Sequence, residues 1–296
     1  MGDNLYTSLF LAAAMSCLGV ATPLGAAQTG LLVVAHGANP EWNARVRQTV
    51  AQVNWPAGPV TTAFLMGPEA ESAGFGAAMA QLLAAGVRSV VVVPLMVSSA
   101  GSHFRQIRYY AGELGSLPPE LEAHRHFTPP DRWPIPVRTT PALDGAPEMA
   151  EILRELWAEL PEADRRRPLM FVAHGPSDRA DAATWVEDLD RAARPTAEHA
   201  RVPRAIGLIL DDAAPSIRQE AVGGIRREIE RLAAAAGDSV VVLSLVISRG
   251  TLNTVRIPAD LANLPIRYVP ASLAPSARLA RWIERVGHER VSASSP

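Results

Sequence analysis

The chain is 296 residues long, enough for two domains of ~150 residues, with 48% hydrophobic and 20% charged residues, a formal net charge of -2 and a pI near 6.4. That balance excludes the basic footprint of a nucleic-acid binder. All 28 basic residues are arginine and Cys17 is the single cysteine, which excludes a Schiff-base or pyridoxal lysine, a phosphate-loop lysine, an internal disulfide and a Cys-rich metal site.

At the N-terminus, residues 8–22 form an apolar run of signal-peptide length, too short for the ~20 apolar residues of a membrane span. Gly25-Ala26-Ala27 follows with small residues suited to cleavage. Residues 1–27 are therefore expected to be a signal peptide and the mature chain to be periplasmic or secreted, without stable membrane insertion once the leader is removed. Asp3 and the lack of any Arg before the run keep a cytoplasmic location as the alternative.

From residue 30 onward the chain is one unit written twice. Gly30–Gly37 (GLLVVAHG) returns as Pro168–Gly175 (PLMFVAHG), Ser89–Ser98 (SVVVVPLMVS) as Ser239–Ser248 (SVVVLSLVIS), and Pro136–Ala142 as Pro265–Ala271. Such continuous apolar, β-branched runs suit strands buried on both faces. A fourth strand of each half is expected near residues 60–66 and 205–210.

Between the strands lie helical patterns. Trp42, Val46, Val50 and Val53 share a face after Pro40; Ala77 to Ala85 stops at Gly86; Ile217 to Ala236 stops at Gly237. Strands alternating with helices imply right-handed βαβ units and parallel sheets. The expected fold is α/β: two similar doubly wound parallel-sheet domains, 28–161 and 162–296, related by internal duplication. A fused pair supplies internally what a dimer would, so a monomer or small homo-oligomer is expected.

In doubly wound sheets, ligands bind beyond the carboxyl ends of the strands. His36 follows the first strand, and His103 follows Ser98, Ser99 and a glycine-bearing loop after the third. If those strands are neighbours, the two imidazoles converge on one metal ion or one proton. His174 repeats His36, but an ungapped match of the third strands places Asn253 where His103 stands, so the second half carries a half-site. Arg105 and Arg108 are candidate carboxylate clamps, and Arg249 occupies the matching loop of the second half. Asp211-Asp212 suits either a metal or the cap of the next helix. His124 and His126 suit a solvated loop.

These residues resemble the class II tetrapyrrole chelatases, specifically the sirohydrochlorin cobaltochelatase and ferrochelatase group in its two-repeat form. The resemblance rests on Ala35-His36-Gly37, on the strand Val90–Val97 leading to His103, and on the doubled copy; it covers roughly residues 30 to 285. It implies an enzyme of the lyase class that inserts Co²⁺, alternatively Fe²⁺ or Ni²⁺, into an anionic sirohydrochlorin-like ring without a nucleotide. His36 and His103 would be metal ligands and proton acceptors. Ser98, Ser99, Arg105, Arg108, His174 and Arg249 are the candidate substrate contacts. The acid that the family carries after its second strand is replaced here by Met66-Gly67, with Glu69 and Glu71 nearby. An exported, non-catalytic metal- or tetrapyrrole-binding protein is the alternative function. A histidine phosphatase would need Arg where Ala35 stands, and no Gly-x-Ser-x-Gly elbow occurs.

Overall fold

A computed structural model describes residues 28–293; the expected signal peptide and Cys17 lie outside them. The first half contains β1 (Thr29–Ala35), α1 (Pro40–Val50), β2 (Val60–Phe64), α2 (Phe75–Ala84), β3 (Ser89–Leu95), α3 (Ser102–Tyr110), β4 (Val137–Thr139) and α4 (Pro147–Ala158). The second contains β5 (Leu169–Ala173), α5 (Ala182–Ala200), β6 (Arg204–Leu208), α6 (Pro215–Ala236), β7 (Val240–Leu245), α7 (Ile257–Asp260), β8 (Ile266–Val269) and α8 (Ala277–Ser292). Both sheets are parallel and have the same order, β2-β1-β3-β4 and β6-β5-β7-β8. The α/β duplication expected from the repeats is what the chain forms. No helix among the described residues is long and apolar enough to cross a membrane.

Alternation along each buried strand divides the core. Leu31, Val33 and Ala35 of β1, and Leu169, Phe171 and Ala173 of β5, face one shared cluster between the sheets. Their neighbours Leu32 and Val34 pack outward on α2 and α3, and Met170 and Val172 on α6 and α7. The shared cluster also takes the apolar faces of α1, α4, α5 and α8, including Val46, Met149, Leu189 and Trp282. The hydrophobic contribution of the largest core is therefore common to both halves.

The last helix crosses the repeat boundary at 161/162. α8 packs against β3 and α1 of the first half. Gly287 permits this close approach, because a Cβ there would stand 2.9 Å from the Trp55 ring and 3.2 Å from Leu31. His288 stacks on Trp55 at 4.6 Å between centroids, and Glu284 accepts a hydrogen bond from the Asn54 amide.

Candidate metal-handling site

β1 and β3 are adjacent, so their carboxyl ends bring His36 and His103 together. Gly37 makes the turn after β1 with φ +84°; a Cβ there would lie 2.4 Å from the Met66 carbonyl, so only glycine fits. The two imidazole centroids are 4.6 Å apart with the rings at 85°.

The hydrogen bonds of the pair set its tautomers. Nδ1 of His36 lies 2.8 Å from the Gly37 carbonyl oxygen. A carbonyl only accepts, so Nδ1 carries the proton and Nε2 keeps its lone pair. His103 Nδ1 lies 3.0 Å from Oε1 of the fully buried Gln106, whose amide nitrogen donates to the Tyr110 hydroxyl. His103 thus has the same tautomer. Imidazoles that bind metals characteristically donate their other N–H to such an acceptor.

Burial, and secondarily the charge of His103, lowers the pKa of His36 from 6.5 to about 4; burial likewise pushes His103 down. Both are neutral near pH 7, as ligation and proton acceptance require. Between pH 6.5 and about 4 the unfolded chain binds more protons at position 36 than the folded chain does. Stability is therefore expected to be full above pH 6.5 and to fall as pH drops towards 4. Urea midpoints at pH 7 and 4.5 should separate further in the wild type than in His36→Gln; equal losses would overturn this assignment.

The second half reaches the same place with different chemistry. His174 follows β5, as His36 follows β1, and Gly175 repeats the left-handed turn at φ +80°. Its Nδ1 lies 2.6 Å from the Gly175 carbonyl oxygen and its Nε2 3.1 Å from Asp212 Oδ2. Both nitrogens face acceptors, an arrangement that favours the protonated ring. Burial opposes that charge, but the Asp212 hydrogen bond and charge outweigh it and raise the pKa. In return the His174 hydrogen bond lowers Asp212 to about 2. Asp211 is set aside by ion pairs to Arg218 and Arg256. Neither aspartate caps α6, whose N-cap is Ala214.

His36, His103, His174, Asp211 and Asp212 all line one cavity of about 870 Å³ between the halves. His174, expected as a half-site, thus lines the same cavity as the His36–His103 pair. Trp42 and Trp185 stand on opposite walls, with Met66, Met96 and Phe104 adding apolar surface. The Ser248 hydroxyl donates to the Trp42 carbonyl at 3.1 Å, and the Trp185 indole donates to the Ala100 carbonyl. These contacts are reciprocal across the cleft: Trp42 lies over Gly250, and Trp185 over Gly101.

Several expected substrate contacts are placed otherwise. Arg105 pairs with Asp181 at 3.1 Å and Glu120 at 3.8 Å, and Arg108 with Glu113 at 3.1 Å. Ser99 is held through its amide and hydroxyl by Asp144, and Arg249 is exposed; none of these four lines the cavity. Ser98 lines it, but its hydroxyl donates to Asp188 of α5 at 2.6 Å. His124, expected in a solvated loop, lines the cavity together with Glu120 and Arg256. His126 is exposed and does not line it. Asn253 is buried and bonded to Ser244, Ala271 and Gly250, so it knits the β7 loop instead of repeating His103.

Residues 30–160 match the CbiX family. That match falls within the first half of the chain. The match agrees with the chelatase resemblance that the His pair and strand pattern suggest. Comparison with curated proteins finds no match. Among solved structures, the fold resembles SirB from Bacillus subtilis with Fe³⁺, at a TM-score of 0.60 and 15% identity, covering 90% of this chain and 97% of that one. It also resembles the sirohydrochlorin chelatase SirB from Bacillus subtilis subspecies spizizenii in complex with cobalt, at 0.52 and 14%, covering 90% and 97%. DR2241 from Deinococcus radiodurans, a multi-domain protein with structural similarity to chelatases, matches at 0.55 and 16%, covering 89% of this chain and 55% of its own. The CbiX match ends at residue 160, yet the structural matches span both halves.

Proposed function

We propose that this chain inserts a divalent metal ion, Co²⁺ or alternatively Fe²⁺ or Ni²⁺, into a sirohydrochlorin-like tetrapyrrole held between its two halves. The observation that carries the reading is the His36–His103 pair. Two neutral imidazoles, their Nδ1 protons already committed, line one cavity large enough for a macrocycle. SirB's binding of iron and cobalt on the same fold supports it.

The chemistry follows from the groups present. The ion is a substrate, and it must shed water before a ring can take it. Imidazole nitrogens replace that water and hold the ion beside the ring. Two pyrrole N–H protons then leave as the four ring nitrogens become ligands, and the two neutral imidazoles released by the ion can accept one each. Trp42 and Trp185 offer flat apolar surface to the macrocycle.

Purified protein mixed with Co²⁺ and sirohydrochlorin should convert the metal-free absorption spectrum faster than the protein-free blank. A rate equal to the blank, with ring or metal merely retained, would make it a carrier of the same fold. Residues 1–27 support an exported, periplasmic or secreted site of action, with cytoplasm the alternative, which fractionation of expressing cells would decide.

A further inference from the structure

A ring of the proposed kind carries carboxylates on its edge, and the arginines expected to meet them, Arg105, Arg108 and Arg249, do not line the cavity. Among the described residues, one guanidinium does, that of Arg256. The ungapped match of the repeats that pairs Asn253 with His103 pairs Arg256 with Gln106, three residues on in each half. The first repeat buries Gln106 completely beside His103. The second departs from that packing, because it makes a π-helical turn, Leu252–Arg256, where the first has the regular helix α3. A π turn closes wider hydrogen-bonded loops than an α turn, which re-aims its side chains, and such turns recur at functional sites. Arg256 ends this one with its side chain 57% exposed.

The ion pair that Arg256 makes leaves most of its donors free. Nη1 donates to Oδ2 of Asp211 at 2.5 Å, and among the described residues Nε and Nη2 have no hydrogen-bond partner. Asp211 has a second cation in Arg218, whose Nε donates to Oδ1 at 3.1 Å and whose terminal nitrogens hold Asp260. The neighbouring acid, Asp212, is engaged by His174. The largely buried Asp211 carboxylate thus tethers the guanidinium to the wall by one nitrogen, and less side-chain freedom remains to be lost when a ligand arrives.

We infer that Arg256, presented by the π turn of the second repeat, binds a carboxylate on the edge of the macrocycle through its free Nε and Nη2. Those two nitrogens form the side-on fork that matches both oxygens of a carboxylate. A ring with a charged edge is thereby preferred to the same ring with a neutral one. Arg256 selects the substrate and takes no part in handling the metal. Asp211 stays neutralised by Arg218 throughout, so the contact with the ring leaves no buried carboxylate unpaired.

The inference rests on the proposed function for its macrocycle, but ring binding tests it without metal or turnover. Uroporphyrin, an octacarboxylate, and its octa-amide, the same ring without the charges, are each titrated into the full chain, following the quenching of tryptophan fluorescence. Arg256→Gln should weaken uroporphyrin by about 10-fold, the scale of one charge-assisted contact partly open to water, and leave the octa-amide at its wild-type affinity. Arg256→Lys, which keeps the charge without the fork, should recover part of the loss. Added salt should narrow the gap between wild type and Arg256→Gln. Arg231→Gln, which removes an exposed guanidinium of α6 paired with Glu228, should bind both rings as the wild type does. The ratio of the two affinities is read on one preparation, so partial unfolding does not imitate a change of preference. If Arg256→Gln keeps the wild-type ratio, the carboxylate contact is overturned and the insertion reading stands. If the ratio falls as expected but the wild type inserts no Co²⁺, the contact stands and the insertion reading fails. Failure of the wild type to bind either ring overturns both.

Discussion

His36→Ala and His103→Ala are each expected to lower metal insertion by about 100-fold or more in kcat/KM, the scale on which a positioned proton acceptor contributes, while the fold survives. The fold should survive because neither imidazole holds the backbone. Gly37 makes the turn after β1, and α3 begins at Ser102 regardless of the ring on its second residue. What goes is one of two nitrogen donors 4.6 Å apart between centroids, so the ion has a single imidazole left. Initial rates from the absorption change, with circular dichroism beside them, are the measurement. Wild-type rates in either variant would remove the pair from the mechanism. Loss of rate together with loss of the folded spectrum would instead assign that histidine a structural role.

Trp282→Ala carries the largest expected loss of stability, about 3–5 kcal/mol for a fully buried tryptophan. Set against the ~5–15 kcal/mol that holds a typical domain together, this is a large share. Trp282 is 1% exposed and lies on α8, in the core common to both sheets. The variant should therefore shift one shared unfolding transition, not loosen one half alone. Guanidinium denaturation followed by far-ultraviolet circular dichroism and by the fluorescence of the remaining tryptophans should give coincident midpoints. Two separated transitions would mean that the halves melt independently.

The strands and the His pair were readable because their signals are local and repeated. A run such as Leu31–Ala35 is apolar at every position because both faces of the sheet are covered, and its return at Leu169–Ala173 confirms the pattern without any partner in view. The same rule that ligands sit beyond strand ends placed His36 and His103. The surroundings of Arg105 were not readable for the opposite reason: its charge is visible in sequence, but its partner Asp181 is 76 residues away in the other half. Asp212 was legible as an acid at a strand end, in either of two roles. Its meaning depends on which wall it faces, and only packing of the halves fixes that. Likewise, no local pattern in residues 277–292 tells that the helix seats against the opposite sheet.

The matching strand orders and the reciprocal Trp–Gly contacts describe a near two-fold relation within a single polypeptide. In a symmetric pair of identical short chains, every substitution lands twice, once on each wall of the cleft. Covalent linkage lifts that restriction. One copy is then free to keep a pair of neutral bases while the other replaces the second histidine by a structural asparagine and retains an acid. A cleft with unlike faces gives a flat macrocycle two distinguishable sides to meet. Two-fold symmetry in short, identical subunits cannot provide that distinction.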